Sequence, residues 1–276
     1  MSTATGGGGF DPKHYWNQRH ARTCGLEGVG FLGLGAYNDW MYRLRADVFR
    51  RVLRGAQVQG ARVLDVGCGT GFYLDLWRAL GAREIVGVDL SEVAVERLRA
   101  DDPALDLRVL DIASAPEADL AALGTFDFVS VIDVLYHVVD DAAYARAFRA
   151  LARLLSAGGR LIFTENFLRE APRRSSAWHV SRTATETEAA LAASGLEIER
   201  RVPCFVLMNT PVDSTSRVLQ LEWRLVEKIA RRSRLAGGLL GAATYPVERL
   251  LTKILRESPS SELAVARRSL QPGPEG

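Results

Sequence analysis

A glycine-rich turn between residues 63 and 71 is the part of this sequence best suited to holding a ligand against the backbone. The apolar run from Val63 to Val66 is followed directly by Gly-Cys-Gly-Thr-Gly. Glycine has no Cβ, so the chain can turn sharply and a ligand can approach the backbone closely. In open α/β sheets, ligands bind beyond the carboxyl ends of strands, beside the start of the next helix. The pattern therefore predicts ligand-binding positions at Gly67, Cys68, Gly69 and Gly71.

A nicotinamide or flavin dinucleotide is the rival ligand for such a turn, because proteins that bind it carry the pattern G-x-G-x-x-G. Counted from Gly67, the third glycine of that pattern would fall at position 72, which is Phe72. A bulky ring there opposes the close helix–strand packing that the glycine serves. The spacing therefore disfavours a dinucleotide.

Three aspartates at equal spacing supply the polar groups that a nucleoside would need. Asp89, Asp111 and Asp133 are separated by intervals of 22 residues, and each ends a predicted strand. A carboxylate at the end of the second strand can accept hydrogen bonds from both ribose hydroxyls. Without a ligand, Asp89 would cap the following helix and Asp111 would form a turn. Three acidic strand ends in register favour one nucleoside site.

Alternating strands and helices must position these residues. Apolar runs predict strands at 62–66, 84–89, 107–111, 126–133 and 160–165, with helices at 72–80, 91–100 and 141–155 between them. Beyond residue 166, helices are expected at 185–194, 215–235 and 239–256, and strands at 196–207 and 261–268. Such alternation builds right-handed βαβ units. The predicted fold is α/β, with a doubly wound, mostly parallel, seven-stranded sheet.

The stretch from Val63 to Gly71 resembles the first motif of the class I S-adenosylmethionine-dependent methyltransferases, a strand that ends in a GxGxG turn. Residues 131–137 resemble the fourth motif of that family, and residues 154–165 resemble its lead into the fifth strand. The likeness covers roughly residues 15 to 166. It implies a Rossmann-like fold, S-adenosylmethionine as cofactor, S-adenosylhomocysteine as product, and a methyltransferase with no residue missing from its cofactor motifs.

The same resemblance assigns roles to individual residues. It implies that Asp65 orders the glycine turn and orients the methionine amine, and that Asp89 and Leu90 hold the ribose. Asp111 and Ile112 would contact the adenine. The remaining cofactor positions that it implies are Ile132 and Asp133 on the fourth motif, and Tyr15 and Arg19 in an N-terminal aromatic and basic cluster. In similar enzymes such a cluster folds over the cofactor as a lid; the alternative is a short helix that packs Trp16 against the core.

His137 is the candidate catalytic residue. Methyl transfer is an in-line displacement, and a hydroxyl acceptor also benefits from a general base, for which histidine is suited near neutral pH. His137 follows Asp133 by four residues; the alternative is a structural histidine. Asp140 and Asp141 could be metal ligands, but adjacent carboxylates more often cap a helix, so no metal is predicted.

The predicted organisation has five parts. A disordered N-terminus spans 1–9, a helical lid 10–58 and a methyltransferase domain 59–270; a helical insertion occupies about 209–258 and a flexible tail 271–276. Between residues 217 and 256, nine Lys/Arg stand against three acidic residues. This segment could attract an acidic or lipid-linked acceptor, contact anionic lipid, form a homodimer, or be an ordinary packed helix pair with a solvated face.

Composition excludes several classes of protein. The chain has 276 residues, 47% of them hydrophobic, and a net charge of +2, which is too small to indicate nucleic-acid binding. Three cysteines, without a secretory leader or an apolar run long enough to span a bilayer, predict a cytoplasmic protein. We expect methylation of a small molecule, with the hydroxyl of a sugar, glycolipid or secondary metabolite favoured. N- or C-methylation and an inactive cofactor-binding partner protein are the alternatives.

Overall fold

The computed structural model describes residues 10–23 and 25–269. The segments predicted to be a disordered N-terminus and a flexible tail, 1–9 and 271–276, lie outside the described residues, as does Cys24.

The described residues form nine strands. They are β1 (Arg62–Val66), β2 (Glu84–Asp89), β3 (Asp106–Val109), β4 (Phe126–Val131), β5 (Leu155–Glu165), β6 (Arg173–Ser176), β7 (His179–Ser181), β8 (Leu196–Pro203) and β9 (Glu262–Arg268). Seven of them make one sheet in the order β3-β2-β1-β4-β5-β9-β8, and β6 pairs with β7. Within the large sheet only the pairs made by β9 are antiparallel. The doubly wound, mostly parallel sheet is therefore confirmed.

Helices alternate with these strands. They are α1 (Pro12–Arg22), α2 (Ala36–Val52), α3 (Phe72–Ala79), α4 (Glu92–Asp101), α5 (Glu117–Leu123), α6 (Asp141–Leu154), α7 (Ala184–Ala192), α8 (Arg217–Ala230) and α9 (Arg234–Ile254). Side-chain caps begin several of them: Ser91 accepts from the backbone of Ala94, and Thr183 forms a capping box with Glu186. Such caps satisfy backbone N–H groups that the helix leaves unpaired.

The core lies on both faces of the large sheet. Leu64 and Val129 pack on one face, whereas their neighbours Val63 and Phe128 pack on the other. Successive side chains of a strand point to opposite faces, so near-continuous apolar runs are what a sheet covered on both sides requires. The helices that cover it keep the strand ends, where the predicted site lies, in fixed register.

Three strands end earlier than the sequence predicts, among them β8, which ends at Pro203 and not at Leu207. β3 ends at Val109 and β4 at Val131, not at Asp111 and Asp133. Asp133 has a φ of 60°, which is outside the extended region, and Asp111 accepts hydrogen bonds from Ala113 N and Ser114 Oγ in a turn. Both aspartates therefore lie in the loops just beyond the strands. β5 begins earlier than expected, at Leu155, and α5, β6 and β7 were not anticipated.

Helices α8 and α9 lie between β8 and β9, and α9 packs along α2. Glu248 anchors α9 from within: its buried carboxylate accepts hydrogen bonds from the backbone N–H groups of Val206, Leu207 and Met208. No helix among residues 10–23 and 25–269 combines the length and apolar character needed to cross a bilayer.

Candidate active site

A cavity of about 310 Å³ opens beyond the carboxyl ends of β1, β2 and β4. Its wall combines the glycine turn, the strand-end aspartates and aromatic side chains from α1, α2 and α3. This is the edge at which open α/β sheets bind ligands.

The glycine turn needs glycine at two positions for steric reasons. Gly67 and Gly69 have φ values of 73° and 53°, a region that disfavours a Cβ. A Cβ at Gly67 would lie 2.2 Å from Val134 Cγ2, and one at Gly69 would lie 2.7 Å from Val29 Cγ1. The turn therefore presents bare backbone to the cavity, as a closely bound cofactor requires.

Asp89 connects the end of β2 to the glycine turn. Its Oδ2 accepts a hydrogen bond from Gly69 N at 2.8 Å, and its Oδ1 accepts one from Ser91 N at 2.8 Å. Burial raises the pKa of this carboxyl. Each carboxylate oxygen has two lone pairs, so Asp89 can still accept hydrogen bonds from a ligand in the cavity whose wall it helps to form.

Asp65 lies beneath the turn, inside the protein. Its Oδ1 accepts a hydrogen bond from Ser130 Oγ at 2.6 Å, and Trp77 Nε1 donates to the same hydroxyl at 2.9 Å. Asp65 Oδ2 is buried and has no hydrogen-bond partner in the part of the chain that the structure describes. Burial raises the pKa of this carboxyl to about 7.

Asp133 forms a buried ion pair with Arg45 of α2. Arg45 Nη1 lies 2.6 Å from Asp133 Oδ2, and the two side chains are only 8% and 17% exposed. The guanidinium also lies over the rings of Tyr42 and Phe205. Asp133 faces the cavity, and its loop is further held by Thr164, whose Oγ1 accepts from Asp133 N.

His137 stands in the cavity wall, and a neighbouring carbonyl fixes its tautomer. His137 Nδ1 lies 2.8 Å from the oxygen of Trp178, and a carbonyl oxygen can only accept, so Nδ1 carries the proton. Burial lowers the pKa of this imidazole to about 4. The ring is therefore neutral near pH 7, and its Nε2 has a free lone pair.

Helix α1 covers one side of the cavity with Trp16 and His20. It is held to α4 by Asn17, whose Oδ1 accepts from Ser91 Oγ at 2.8 Å, and by Arg97, which donates to the carbonyls of His20 and Thr23. Burial lowers the pKa of His20 to about 4. The wall on this side is thus aromatic and uncharged near neutral pH.

A family model described as a methyltransferase domain matches residues 37–198, more than half of the chain. The chain belongs to the class I S-adenosylmethionine-dependent methyltransferases. This confirms the resemblance read from the glycine turn and the strand-end aspartates.

Two similar methyltransferases are named ubiquinone biosynthesis O-methyltransferases. The protein of Alkalilimnicola ehrlichii is 36% identical over 123 residues, which are 44% of this chain and 47% of that protein. The protein of Rhizobium etli is 31% identical over 188 residues, 62% of this chain and 74% of that protein. The chain thus aligns with about half of the first relative's length and about three quarters of the second's.

A solved structure shows the same fold over most of the chain. The magnesium protoporphyrin IX methyltransferase of Synechocystis PCC 6803, crystallised with S-adenosylhomocysteine, has a TM-score of 0.54 and 17% identity. The match covers 93% of this chain and 98% of that one. At this identity the likeness concerns the fold alone.

Ten of the predicted site residues line the cavity of this methyltransferase. They are Gly67, Cys68, Gly69, Asp89, Leu90, Asp111, Ile112, Ile132, Asp133 and His137. Whether they contact the cofactor or the acceptor stays a prediction.

Four other predicted cofactor residues lie outside that wall. Tyr15 stacks on Trp178 with ring centroids 5.6 Å apart, and the Arg19 guanidinium donates to the carbonyls of Gly28 and Gly30. Gly71 is the N-cap of α3 and lies against Leu98, and Asp65 is buried beneath the turn. These residues shape or support the site in this structure; direct cofactor contact by them stays a prediction.

Several wall residues were not selected from the sequence. The side chains that the cavity adds to the predicted set include Trp16, His20, Val29, Tyr42, Phe72 and Tyr73. Most are aromatic residues of helices that also have a buried face, so nothing in their spacing separates a ligand contact from ordinary core packing.

The two aspartates considered as metal ligands have structural partners. Asp140 caps α6 by accepting from Ala143 N, and Asp141 lies 2.8 Å from Arg182 in an ion pair. Residues 10–23 and 25–269 contain no group of three or more His, Cys, Asp or Glu side chains arranged to hold a metal ion.

The site fits the cofactor of the family in shape and charge. Bare glycine backbone, the Asp89 carboxylate and the apolar side chain of Ile112 lie around one cavity. Asp111 and Asp140 add two further carboxylates, while the charge of Asp133 is offset by Arg45. A wall with a surplus of carboxylates attracts a cationic ligand such as a sulfonium.

Proposed function

We propose that this methyltransferase transfers a methyl group to a hydroxyl oxygen of a small molecule with an apolar body. The observation that carries the proposal is the neutral, Nδ1-protonated His137 in the cavity wall. That tautomer leaves Nε2 able to accept a proton, which transfer to oxygen requires and transfer to an amine lone pair does not.

Different residues would bind different parts of the cofactor. The backbone at Gly67 and Gly69 would lie against its methionine part, Asp89 would accept from the ribose hydroxyls, and Asp111 and Ile112 would hold the adenine. When bound, S-adenosylmethionine supplies an electrophilic methyl group on a positively charged sulfur. Trp16 and His20 of α1 would cover this group and exclude water, which is the lid role predicted for the N-terminal segment.

His137 would act on the proton of the acceptor. With a pKa of about 4 the imidazole is too weak a base to deprotonate a resting hydroxyl. The hydroxyl becomes strongly acidic as its oxygen forms the new bond to carbon, and Nε2 would accept the proton at that stage. The Trp178 carbonyl would stabilise the resulting imidazolium, since it already accepts from Nδ1.

The character of the cavity wall favours an apolar acceptor over a sugar. The cavity wall includes the aromatic rings of Trp16, Tyr42, Phe72 and Tyr73. The faces of these rings offer few hydrogen bonds to the many hydroxyl groups of a sugar. Among the acceptors predicted from the sequence, a hydroxylated secondary metabolite therefore suits the wall better than a glycan. The names of the two relatives, both O-methyltransferases, support oxygen as the acceptor atom. Unpaired thiols at Cys68 and Cys204 suit the reducing cytoplasm in which we place the reaction.

Isotope transfer to matched acceptors tests the proposal. The purified chain is incubated with methyl-labelled S-adenosylmethionine and, separately, with a phenol, the aniline of the same skeleton and a sugar, and products are identified by mass spectrometry. We expect the O-methyl ether of the phenol, and no product with Asp89→Ala. Exclusive methylation of the aniline would establish the nitrogen alternative. Cofactor binding without transfer to any acceptor would favour the inactive partner protein.

A further inference from the structure

The outer faces of α8 and α9 carry most of the large apolar side chains that are exposed in the described part of the chain. Twelve large apolar side chains are exposed in the described part of the chain, and ten of them lie between Val218 and Leu255. Val218 is 76% exposed, Leu235 72% and Ile254 65%. Scattered single apolar residues are ordinary on a surface, whereas a concentration of this kind marks an interaction site.

Both helices expose a row of large apolar side chains, and α8 also has apolar residues on its buried face. On α8 the exposed residues Val218, Leu221, Leu225 and Ile229 recur at helical spacing, while Trp223, Val226 and Ala230 of the same helix are buried. On α9 the exposed set is Leu235, Leu239, Val247, Leu250 and Ile254. A helix on the surface of a globular protein normally turns a polar face to water. The described structure provides nothing that covers these outer faces.

The exposed charges of the same segment are mostly positive. All nine of its basic residues are exposed: Arg217, Arg224, Lys228, Arg231, Arg232, Arg234, Arg249, Lys253 and Arg256. Its three acidic residues are buried or half-buried: Glu222, Glu227 and Glu248. The carboxylate of Glu248 accepts backbone hydrogen bonds inside the protein. The surface therefore combines large aliphatic side chains with positive charge that nearby carboxylates offset only in part.

This surface is continuous with a loop that reaches the active site. Phe31 packs on Trp223 of α8, with ring centroids 5.4 Å apart, and Arg231 Nη1 donates to the carbonyl of Leu32 at 2.7 Å. Leu32 is itself 44% exposed, and Val29 of the same loop lines the cavity.

We propose that the outer face of the α8–α9 hairpin binds to an anionic lipid surface. Aliphatic side chains of an interfacial helix insert at the boundary between headgroups and acyl chains, and interleaved Lys and Arg bind the anionic headgroups. The Phe31–Leu32 loop then lies at the membrane, with the cavity behind it. The proposal concerns the hairpin surface and does not depend on which atom the enzyme methylates.

Charge argues against the other occupants of this face. Two copies of the chain meeting through it would bring exposed cations of each against those of the other, and like charges at an interface are unfavourable. Nucleic acid would satisfy the cations, but it offers no apolar surface for ten exposed aliphatic side chains. An anionic bilayer satisfies both features at once.

Vesicle binding of the full chain tests the proposal. Flotation is measured with vesicles of phosphatidylcholine alone and with vesicles of equal parts phosphatidylcholine and phosphatidylglycerol, at low and high salt. A charge variant carries Arg224→Gln, Lys228→Gln and Arg232→Gln, and an apolar variant carries Leu221→Gln, Leu225→Gln and Ile229→Gln. A control variant with the same loss of charge carries Arg83→Gln, Arg149→Gln and Arg153→Gln, at exposed positions away from the hairpin. Thermal melting verifies that each variant is folded.

We expect the wild-type chain to bind the anionic vesicles about tenfold or more tightly than the neutral ones, and to be released by salt. Both hairpin variants should bind the anionic vesicles about tenfold more weakly, whereas the control should stay within about twofold of wild type. No binding to anionic vesicles, or binding that the hairpin variants retain, would overturn the proposal. A dimer in sedimentation velocity that only the apolar variant loses would assign the face to a second copy instead.

Discussion

His137 and the carbonyl of Trp178 lie 2.8 Å apart, although the two residues belong to different parts of the chain. Trp178 occupies the turn between β6 and β7, and the packing of this small ribbon against the loop after β4 fixes the tautomer of the histidine. The same packing, with Trp16 at a ring-centroid distance of 4.9 Å, buries the imidazole and lowers its pKa to about 4. A residue with that tautomer and that pKa is a base at every pH at which the protein would normally work.

Replacement of His137 should therefore affect chemistry and not cofactor binding. We expect His137→Gln to lower kcat by roughly 10²–10⁴-fold, the range for loss of a general base, with the dissociation constant of S-adenosylhomocysteine changed by less than about twofold. In the wild-type enzyme, kcat/KM should fall as pH drops through about 4, because protonation removes the base, and should show no inflection near 6.5. His14→Gln, at an exposed position outside the cavity wall, is the control. An acid limb near 6.5, or a kcat that His137→Gln leaves unchanged, would contradict the assignment.

Adjacent aromatic residues of α1 should differ in their effect on cofactor binding. Trp16 lines the cavity, whereas Tyr15 stacks on Trp178 outside it. We expect Trp16→Ala to weaken binding of S-adenosylhomocysteine about tenfold, the equivalent of ~1.4 kcal/mol, and Tyr15→Ala to weaken it by less than about threefold. Calorimetric titration of both variants measures the difference. Equal losses would mean that the whole helix, and not the Trp16 ring, matters to binding.

Which face of helix α1 lines the cavity could not be predicted from the sequence. Tyr15 with Arg19, and Trp16 with His20, are both i, i+4 pairs, so periodicity identifies two candidate faces without choosing between them. The choice depends on how α1 docks on α4 through Asn17 and Arg97, contacts that join residues more than 70 positions apart. Asp89 needed no such information, because an apolar run followed by a polar residue already places it at the edge where the cavity opens.

The buried pair of Arg45 and Asp133 was unpredictable for the same reason. Arg45 lies on α2, within the segment predicted to be helical, but nothing local indicates that this charged residue would be enclosed beside Tyr42 and Phe205. Its partner Asp133, 88 positions later in the sequence, was predicted as a strand-end carboxylate at the cofactor site and not as half of an ion pair. The fold is predictable because each βαβ unit is formed by residues that are close in the sequence. A pairing of side chains across the sheet edge joins residues that are far apart in the sequence, so it cannot be predicted in the same way.

Gly67→Ala should be far more damaging than a comparable substitution at Gly158. Both glycines have positive φ, 73° and 80°, but a Cβ at Gly67 would meet Val134 at 2.2 Å, whereas one at Gly158 has nothing within 4 Å. We expect Gly158→Ala to lower the free energy of unfolding by ~1 kcal/mol from backbone strain alone, and Gly67→Ala by an additional ~2 kcal/mol from overpacking. Urea denaturation measures both. Adding Val134→Ala to Gly67→Ala should restore part of the loss, and failure to do so would show that the contact with Val134 is not the cause.

Asp65→Asn should make the protein more stable at alkaline pH. The pKa of this buried carboxyl is about 7 in the folded chain, against 3.8 as its ordinary value, so between these values the folded state holds a proton that the unfolded state has lost. Asp65 therefore stabilises the fold below pH 3.8, and that contribution is lost as pH rises through 7. Asparagine keeps an oxygen to accept from Ser130 and does not ionise.

The expected signature is a difference between two pH values. From about pH 5 to about pH 8, the free energy of unfolding of the wild type should fall by roughly 2–3 kcal/mol relative to Asp65→Asn, at about 1.4 kcal/mol per pKa unit. Other titrating groups, including Glu165 with its own raised pKa, are present in both proteins and cancel. Asp75→Asn, at an exposed position of α3, controls for the loss of one carboxylate. A constant difference between wild type and Asp65→Asn across this range would mean that the carboxyl is already ionised in the folded protein at pH 5, with its charge stabilised by a group or water bound at Oδ2.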